Sequence, residues 1–170
     1  ADSLTIIQNH SIKMDKILDI DNIDLKIISL LNEDAKTPYT EIAKKVFVSS
    51  GTVHVRMKKL EDMGIVKSAT LNIDFSKLGY DISAFLGIYL EKSSLYDTVI
   101  EKLKTISEVV SAYYTTGNYS IFAKIICRDT NHLRFVLDNI QKVEGIDRTE
   151  TLIVLEESIN RPIQFFDKEK

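Results

Sequence analysis

The first third of the chain carries apolar residues at helical spacing, which predicts a short helix after Asp21. Four apolar side chains then recur at intervals that place them on one helical face: Ile23, Ile27, Leu30 and Leu31. Asn32-Glu33-Asp34 interrupts this stripe. Thr37-Pro38 predicts a second helix start, with a capping hydroxyl followed by proline at the first helical position. The second helix is expected to end near Val46, where its apolar pattern stops.

A third helix is predicted from Ser49, as the N-cap, to about Met63, with Gly64 as the stop. Only Phe47-Val48 separates it from the second helix, so the three helices form a helix-turn-helix pattern. At about 100° per residue, the third helix is expected to bury one sector and expose the opposite one. The buried sector holds Val53, Met57 and Leu60; the exposed sector holds Gly51, Val55 and Lys58, flanked by Thr52, His54 and Lys59.

The remaining chain follows a different pattern, in which strand-like segments alternate with helical ones. Alternating residues predict a linking strand over Ser68–Phe75, and a mostly apolar run predicts a buried strand over Ile82–Leu90. Ser94 and Thr130 are predicted caps of two helices. Three further strands are predicted: Val109–Thr115, Tyr119–Cys127 and Asp147–Leu155, the first two joined by a turn at Thr116-Gly117-Asn118.

This β-α-β-β-α-β order predicts a ferredoxin-like arrangement, an antiparallel four-stranded sheet with two helices on one face. The fold class is therefore α+β: an N-terminal helix-turn-helix (winged-helix-like) domain and a C-terminal ferredoxin-like domain. A partner subunit is the economical cover for the other sheet face. The predicted segments are an arm or leader over 1–17 (Met14 could be a natural start), a helix-turn-helix domain over 18–66, a linker strand over 67–80, a ferredoxin-like domain over 81–158, and a tail over 159–170.

Composition narrows the class of protein. The 170 residues are 44% hydrophobic and 28% charged, enough for a folded core. One cysteine excludes an internal disulfide, and the longest apolar run, Ala84–Leu90, is too short for a bilayer. The first residues lack the pattern of a signal peptide, so we expect a cytoplasmic protein with no membrane partner.

Charge gives the helix-turn-helix a candidate partner, double-stranded DNA. The net charge is −3, yet residues 42–60 carry five bases and no acid. Ser49, Ser50, Gly51 and Thr52 would offer backbone N–H groups to a phosphate, and Val55 would suit a thymine methyl. The other predicted contacts are His54, Arg56 (packed stem, outward head) and the phosphate-binding Lys44, Lys45, Lys58 and Lys59. Alternatively, the basic stretch is a solvated surface, His54 an ordinary surface histidine and Val55 a contact between subunits.

Catalytic chemistry is not indicated, so the chain is not expected to be an enzyme. No Gly-rich phosphate loop is present, and His10, His54 and His132 are too scattered for metal-ligand spacing. We expect His132 to lie on the surface and Cys127 in the core. No cofactor and no metal are predicted.

The turn between the predicted hairpin strands is a candidate site for a small anion or an amino acid. Free N–H groups at a glycine turn can hold a carboxylate. The candidate residues are Thr116, Gly117, Asn118, Tyr119 and Ser120, with Thr149 and Thr151 on the last strand. The alternative is structural, because threonine favours strands and Gly-Asn favours turns.

Taken together, these stretches resemble the Lrp/AsnC (feast/famine) family of regulators, over about residues 18–158, and most of all its asparagine-responsive branch. The similar stretches are DNIDLKIISLL at 21–31, YTEIAKK at 39–45, SSGTVHVRMKKL at 49–60, GIV at 64–66, YYTTGNYSIF at 113–122 and TETLIVL at 149–155. The resemblance implies a bacterial or archaeal transcription regulator, dimeric and assembling into octamers or other multimers. Its N-terminal domain would bind DNA, and its C-terminal domain would bind a free amino acid between dimers.

Carried onto this chain, the resemblance makes Ser49–Lys59 the recognition helix and places Gly117–Ser120 on the family's glycine-acidic-aromatic effector loop. Two residues depart from the family pattern. Phe47 replaces a common turn glycine, so a different turn conformation is expected, and Asn118 replaces a frequent acid, which should change how an effector's ammonium is held.

We therefore expect a sequence-specific transcriptional regulator whose assembly or DNA affinity is modulated by an amino acid, with asparagine favoured. The alternatives are a protein-interaction module, or a small-molecule-binding ferredoxin-like protein, without DNA binding. An enzyme of ferredoxin-like fold is disfavoured by the missing acid–base or metal cluster.

Overall fold

A computed structural model describes residues 19–163 and Phe165; the predicted arm over 1–17 and the end of the predicted tail lie outside these residues. The described chain forms two compact units, with a boundary between Leu71 and Asn72, and residues 160–163 and Phe165 group with the first unit. The elements are α1 (Asn22–Glu33), α2 (Tyr39–Val46), α3 (Ser50–Asp62), β1 (Ile82–Leu90), α4 (Tyr96–Leu103), β2 (Val109–Tyr114), β3 (Ile121–Cys127), α5 (Thr130–Gln141) and β4 (Ile146–Ile153). None of the helices among these residues has the length and apolar character needed to cross a membrane.

The first unit, called the helical unit below, packs α1, α2 and α3 around a small apolar core. Its buried apolar residues are Ile27, Ile42, Ala43, Val46, Val53, Met57 and Leu60. A reciprocal capping box begins α1: the Asp21 carboxylate accepts from the Asp24 N–H, and the Asp24 carboxylate accepts from the Asp21 N–H. The helix-turn-helix expected from the sequence is confirmed.

Two details of the helical unit differ from the sequence prediction. Pro38, not Thr37, is the N-cap residue of α2, and no side chain caps this helix, so the predicted Thr37 cap is wrong. Phe47 ends α2 at φ 58° and ψ 46°, in the left-handed region that glycine favours. The expected change of turn conformation is therefore not observed, and Phe47 adopts the backbone conformation in which glycine is usual. The predicted Ser49 cap is confirmed, because its Oγ accepts from the Thr52 N–H at 3.0 Å.

The second unit, called the sheet unit, is the expected antiparallel four-stranded sheet, with strand order β2-β3-β1-β4. Alternate residues of the central strands face α4 and α5 and form one core with them. The buried members on the central strands are Ala84, Leu86, Ile88, Ile121, Ala123, Ile125 and Cys127, and those on the helices are Val99, Leu103, Leu133, Val136 and Ile140. Cys127 is thus the core residue that was predicted, and burial raises the pKa of its thiol.

Several boundaries in the sheet unit and its approach differ from the prediction. Ser68–Phe75 is not a strand: its residues are exposed and form no ladder within the described chain, and a short 3-10 turn follows at Phe75–Leu78. Alternation alone cannot make a strand without a partner that accepts its backbone hydrogen bonds. Ser94 does not cap α4, which begins at Tyr96 after a 3-10 turn and has no side-chain cap.

The cap of α5 is also displaced by one residue. Asp129, not Thr130, is the N-cap, and its carboxylate accepts from the His132 N–H at 2.8 Å. His132 is not the surface residue that was expected, since its Nδ1 accepts from the Arg128 N–H and its Nε2 lies 3.0 Å from the Glu108 carboxylate. Burial tends to raise the pKa of Glu108, but hydrogen bonds from its own N–H, His132 and Ser107 outweigh burial and lower it. The strands begin and end within two residues of their predicted positions, at Ile121 for β3 and at Ile146 and Ile153 for β4.

Candidate functional site

Helix α3 presents the outward face that the angular pattern predicts. Val53, Met57 and Leu60 are buried, whereas Val55 is 71% exposed and His54 and Lys58 are exposed. At its beginning, Ser50 and Gly51 are exposed, and the Ser49 and Thr52 hydroxyls lie 2.8 Å apart. The N-terminal end of this helix, where backbone N–H groups give a positive electrostatic potential, therefore faces solvent.

A surface groove of about 760 Å³ lies beside this end of α3. Its walls combine residues of the helix with the segment that precedes α1: Asp19, Ile20, Asp21, Ser49, Gly51, Thr52, Val55, Arg56 and Lys59. Polar hydroxyls, one exposed valine and charges of both signs thus surround a concave surface. Five of the predicted DNA contacts lining it come from α3 itself, and Ser49 is its N-cap.

Arg56 does not direct its charge outward as the sequence analysis expected. Its Nη1 donates to Asp21 at 2.7 Å and to Asp24 at 2.8 Å, and the Asp24 side chain is fully buried. These hydrogen bonds, that to Asp24 first, raise the pKa of the guanidinium. The pKa of Asp21 is lowered, first by the Asp24 N–H and then, against burial, by Arg56. The periodicity placed Arg56 at the edge of the buried sector but gave no sign of a buried acid on α1.

Three of the other four bases of the acid-free stretch also find acids, mostly from just outside that stretch. Lys58 donates to Asp62 at 2.7 Å, and Lys45 lies 3.0 Å from Glu41. Lys59 contacts the Asp19 carboxylate at 3.1 Å and also the Asp19 backbone carbonyl. Lys44 is exposed and has no acidic partner within the described part of the chain. Pairing about one turn away along a helix, or with the segment before α1, explains why a window of sequence overstated the free positive charge.

Of the polar residues predicted near the DNA face, His54 has a neighbour that the sequence analysis did not foresee. Its ring packs edge-on against Tyr39 of α2, with 4.6 Å between ring centroids. The contact fixes the ring beside the outward face of α3. His54 is exposed even so, and its imidazole can still reach a ligand.

In the sheet unit, the predicted effector loop is a closed turn between β2 and β3. The Thr115 N–H donates to the Ser120 carbonyl, and the Thr115 hydroxyl donates to the Tyr119 carbonyl at 2.8 Å. The Ser120 N–H also donates to Ile88 of β1 at 2.9 Å. The tip, Thr116-Gly117-Asn118, is exposed, and Gly117 has φ 107°, which a side chain would strain.

Tyr119 leaves this loop and lies on the sheet face opposite the helices. Its hydroxyl donates to Glu150 of β4 at 2.8 Å, and its ring covers Gly87 of β1. Tyr89 donates to the other oxygen of Glu150 at 2.9 Å. The sequence analysis missed Gly87 and Glu150. A glycine inside an apolar strand is a signal of close approach by another group and could have identified the first of them.

Thr149 and Thr151 flank Glu150 on β4 but lie on the helix-facing side, since they pair with Ile88 and Leu86. The Thr149 hydroxyl accepts from the Gln141 side chain at 3.2 Å. The structure therefore brings the loop and Thr149 to the same end of β1, because Ser120 and Thr149 both neighbour Ile88. It places Tyr119 and the two threonines on opposite faces of the sheet. No metal-binding group of His, Cys, Asp and Glu occurs among the described residues.

Comparison with known proteins agrees with both units. Residues 83–163 match the family described as Lrp/AsnC ligand binding domain, and residues 20–67 match the winged helix-turn-helix DNA-binding family. The regulatory protein AsnC of Haemophilus influenzae is 48% identical over 146 residues, which cover 85% of this chain and 97% of that protein. The regulatory protein AsnC of Escherichia coli is 45% identical over 146 residues, covering 85% and 96%.

Solved structures of other proteins match the fold of this chain. The structure of E. coli AsnC matches with a TM-score of 0.80 at 44% identity, covering 85% of this chain and 98% of that one. A transcriptional regulator of Neisseria meningitidis, solved in complex with L-Met, matches with a TM-score of 0.79. At 24% identity, over 84% of this chain and 94% of that one, this second likeness is one of fold.

Proposed function

The chain belongs to the Lrp/AsnC family of DNA-binding transcriptional regulators, and from this premise we propose that an amino acid, asparagine first, binds at the Thr116–Ser120 loop and tunes assembly or DNA affinity. Its relatives are named as regulatory proteins and transcriptional regulators, so the chain is a regulator and not an enzyme. The observation that carries the proposal is the pairing of an exposed recognition helix with a ligand-binding domain in one chain. Effector and DNA would then be linked through the equilibrium between assemblies.

On the DNA side, we propose that α3 enters the major groove with its N-terminal turn against a phosphate. Ser49, Ser50, Gly51 and Thr52 supply the N–H groups and hydroxyls for that contact. The exposed Val55 then meets a thymine methyl, and His54 lies beside it. Arg56 and Lys59 line the surface groove of the protein beside α3, where their carboxylate partners hold them beside the approaching DNA backbone.

The lysines of this surface differ in how much each would contribute to the binding of a phosphate. Among the described residues Lys44 has no acid to give up, whereas Lys45 and Lys58 must exchange Glu41 and Asp62 for a phosphate. We therefore expect Lys44 to contribute the most to the salt dependence of binding. Replacing it by Ala should lower the slope of log K against log salt by about 0.9, for every DNA sequence alike.

These contacts are tested by fluorescence anisotropy with a duplex selected from a random pool by the wild-type protein, and with a scrambled duplex. Val55→Ala should reduce the preference for the selected duplex about three- to tenfold, because the apolar base contact is shortened. Val110→Ala, an equally small change at an exposed valine of β2, is the matched control. Equal losses on both duplexes would contradict base recognition by Val55, and an absent salt dependence would favour a protein-interaction module.

On the effector side, the exposed tip of the loop offers backbone N–H groups to a carboxylate, and Asn118 offers its amide to a polar side chain. Asparagine is favoured because curated relatives at 45–48% identity are named AsnC. A protein of the same fold forms a complex with L-Met, so methionine is the first competitor to test.

Light-scattering mass and calorimetric titration with asparagine, methionine and leucine in turn test this site. Gly117→Val should abolish the response while leaving amino-acid-free DNA binding intact, because the added side chain strains a residue at φ 107°. Gly79→Val is the matched control, since Gly79 also has a positive φ (83°) and open space around it. An unchanged response in Gly117→Val would place the effector elsewhere.

We also propose that the chain is a homodimer that assembles into an octamer or another multimer, and that it acts in the cytoplasm on DNA. Support comes from the sheet face opposite the helices, where Phe85 and Phe122 stack with 5.3 Å between centroids and remain partly exposed. The same scattering experiment gives the mass. A monomer at micromolar concentration would contradict this part of the proposal.

A further inference from the structure

The middle of β1 contains a buried residue without a side chain, and the ring of Tyr119 occupies the space a side chain would need. A Cβ built on Gly87 would lie 2.4 Å from the nearest ring carbon of Tyr119. Gly87 is buried even though it faces away from the core that the sheet forms with α4 and α5. A glycine inside a strand loses more chain entropy on folding than other residues, so its use here needs a reason such as this close approach.

From this position the Tyr119 side chain crosses over β1 and reaches a side chain of β4. It starts beside β3, where its ring stacks on Phe122 with 5.9 Å between centroids. It crosses β1, meeting Tyr89 edge-on at 5.3 Å, and its hydroxyl ends on the Glu150 carboxylate of β4. The side chain therefore connects the loop to the far edge of the sheet.

The carboxylate that receives this hydrogen bond is itself held from a second side. Tyr89 donates to its other oxygen at 2.9 Å, and the guanidinium carbon of Arg148 lies 3.9 Å from the centroid of the Tyr89 ring. The pKa of Tyr119 is raised by its bond to Glu150, and the pKa of Glu150 is lowered, first by Tyr119 and then by Tyr89. Both directions agree with phenols that donate to an ionised carboxylate.

The position of Glu150 in the chain shows which two segments this connection joins. Glu150 pairs with Gly87 and stands between Thr149 and Thr151, the two residues of β4 in the effector prediction. Tyr119 stands between the exposed loop tip and Ser120, in the other part of that prediction. One side chain thus joins the two elements that would flank an effector, although it lies on the opposite face from the threonines.

We propose that Tyr119 is a positioning residue, which, seated on Gly87 and bonded to Glu150, holds the Thr116–Asn118 tip at a fixed place relative to Thr149 and Thr151. This inference rests on the proposed function, because it names how the effector loop is held in its binding conformation. Its consequence is that amino-acid affinity depends on a hydroxyl that does not touch the amino acid. Pre-ordering a loop raises affinity because the ordering cost is met before the ligand arrives.

The test is calorimetric titration of the full chain with asparagine, and with methionine if asparagine is not bound. Tyr119→Phe keeps the ring over Gly87 and removes only the hydroxyl, so it should weaken amino-acid binding about three- to tenfold. Tyr113→Phe is the matched control, since this exposed tyrosine of β2 has no hydrogen-bond partner for its hydroxyl within the described residues. DNA binding without amino acid and the mass should be unchanged in both.

Variants at two further positions approach the same contact from other strands. Glu150→Ala removes the acceptor and should match Tyr119→Phe, whereas Glu150→Gln keeps an acceptor and should restore most of the affinity. Gly87→Ala should push the flexible ring away and weaken binding at least as much, and it should add little to Tyr119→Ala because the ring is then absent.

The outcomes separate the two proposals. If the wild-type protein binds none of the amino acids, the proposed effector function is wrong and the positioning role with it. If the wild type binds and Tyr119→Phe and Glu150→Ala bind equally well, the positioning role alone is wrong. If Glu150→Gln is as weak as Glu150→Ala, the contact acts through charge, and the hydrogen-bond argument for Tyr119 is overturned.

Discussion

The helical unit and the sheet unit differ in whether a charged group is buried beside the core. In the helical unit a carboxylate, Asp24, is fully buried beside a core of seven apolar residues and is held by Arg56. In the sheet unit the thirteen buried core residues are all apolar, and the polar network of Tyr119 and Glu150 lies on the other face of the sheet. The smaller core thus includes an ion pair, and the larger one excludes it.

The difference shows what each architecture needs in order to hold its elements in a single arrangement. Three short helices can slide or rotate against one another, and an ion pair from α1 to α3 permits one arrangement. A sheet has its register fixed by backbone ladders and by the alternation of its side chains, as in the pairing of Gly87 with both Phe122 and Glu150. Four changes test this comparison and are ordered by decreasing size of effect.

Leu86→Ala should cause the largest loss, because Leu86 is fully buried in the centre of the sheet unit. We expect the free energy of unfolding to fall by about 4 kcal/mol, from lost burial and the cavity left behind. Hydrogen exchange should show the loss in β1, β3 and β4 and not in α1–α3, since the two cores share no residue. Leu152→Ala, at an exposed leucine of β4, is the control and should cost less than about 1 kcal/mol.

Arg56→Ala should cost about 2 kcal/mol in the helical unit, because it leaves the buried Asp24 carboxylate without its main partner. Lys59, 3.7 Å from Asp24, keeps the loss below that of a fully unpaired charge. Operator binding should weaken as well, with assembly unchanged. Lys58→Ala removes an exposed pair and should leave the thermal midpoint unchanged. Equal effects of the two variants would show that the buried pair does not hold α1 to α3.

Phe47→Gly should stabilise the helical unit by about 0.5–1 kcal/mol. Phe47 has φ 58° and is 93% exposed, so glycine relieves backbone strain and gives up almost no burial. Phe47→Ala keeps the strain and should bring no gain, which makes it the control in urea unfolding. A loss of stability in Phe47→Gly would mean that the aromatic ring contributes a contact in solution.

Acid should weaken the helical unit partly through Asp21, with the smallest effect of the four. The pKa of Asp21 is lowered in the folded protein, so its contribution is present above its unfolded pKa and is lost as the pH falls below about 4. Asp21→Asn keeps a cap for α1 but no titrating group, so its thermal midpoint should fall less between pH 7 and pH 3. Asp138→Asn, at an exposed aspartate of α5, should follow the wild type.

Sequence periodicity predicted the elements well because it reports which face of a helix or strand is buried. The buried sector of α3 (Val53, Met57 and Leu60) and the strand Ile82–Leu90 are confirmed for this reason. Two predictions made from local signals were wrong, one because a strand needs a partner and the other because a neighbouring residue caps the helix. A strand was expected at Ser68–Phe75, where no partner strand exists in the described chain, and Thr130 was expected as a cap although Asp129 accepts the bond.

The site was less predictable because its contacts join residues far apart in the chain. Nothing local to Arg56 indicates that Asp21 and Asp24 will take its charge. The contact of Tyr119 with Gly87 likewise depends on β1 and β3 lying side by side, and its hydrogen bond to Glu150 depends on β4 lying beside β1. Periodicity identifies a surface, but the partners within it follow only from the tertiary fold.

The strand order has a consequence for the order of events during synthesis. The three helices and the seven buried core residues of the helical unit all lie before Leu71, so they can pack once that part of the chain has emerged, and their contacts are mostly local, which favours rapid folding. The central strand β1 must wait for β4, since Ala84 pairs with Ile153. At about 5–20 residues per second this wait lasts several seconds, during which an apolar strand has an unpaired edge. Helix α3 can therefore be formed while the sheet unit still has an unpaired apolar strand edge.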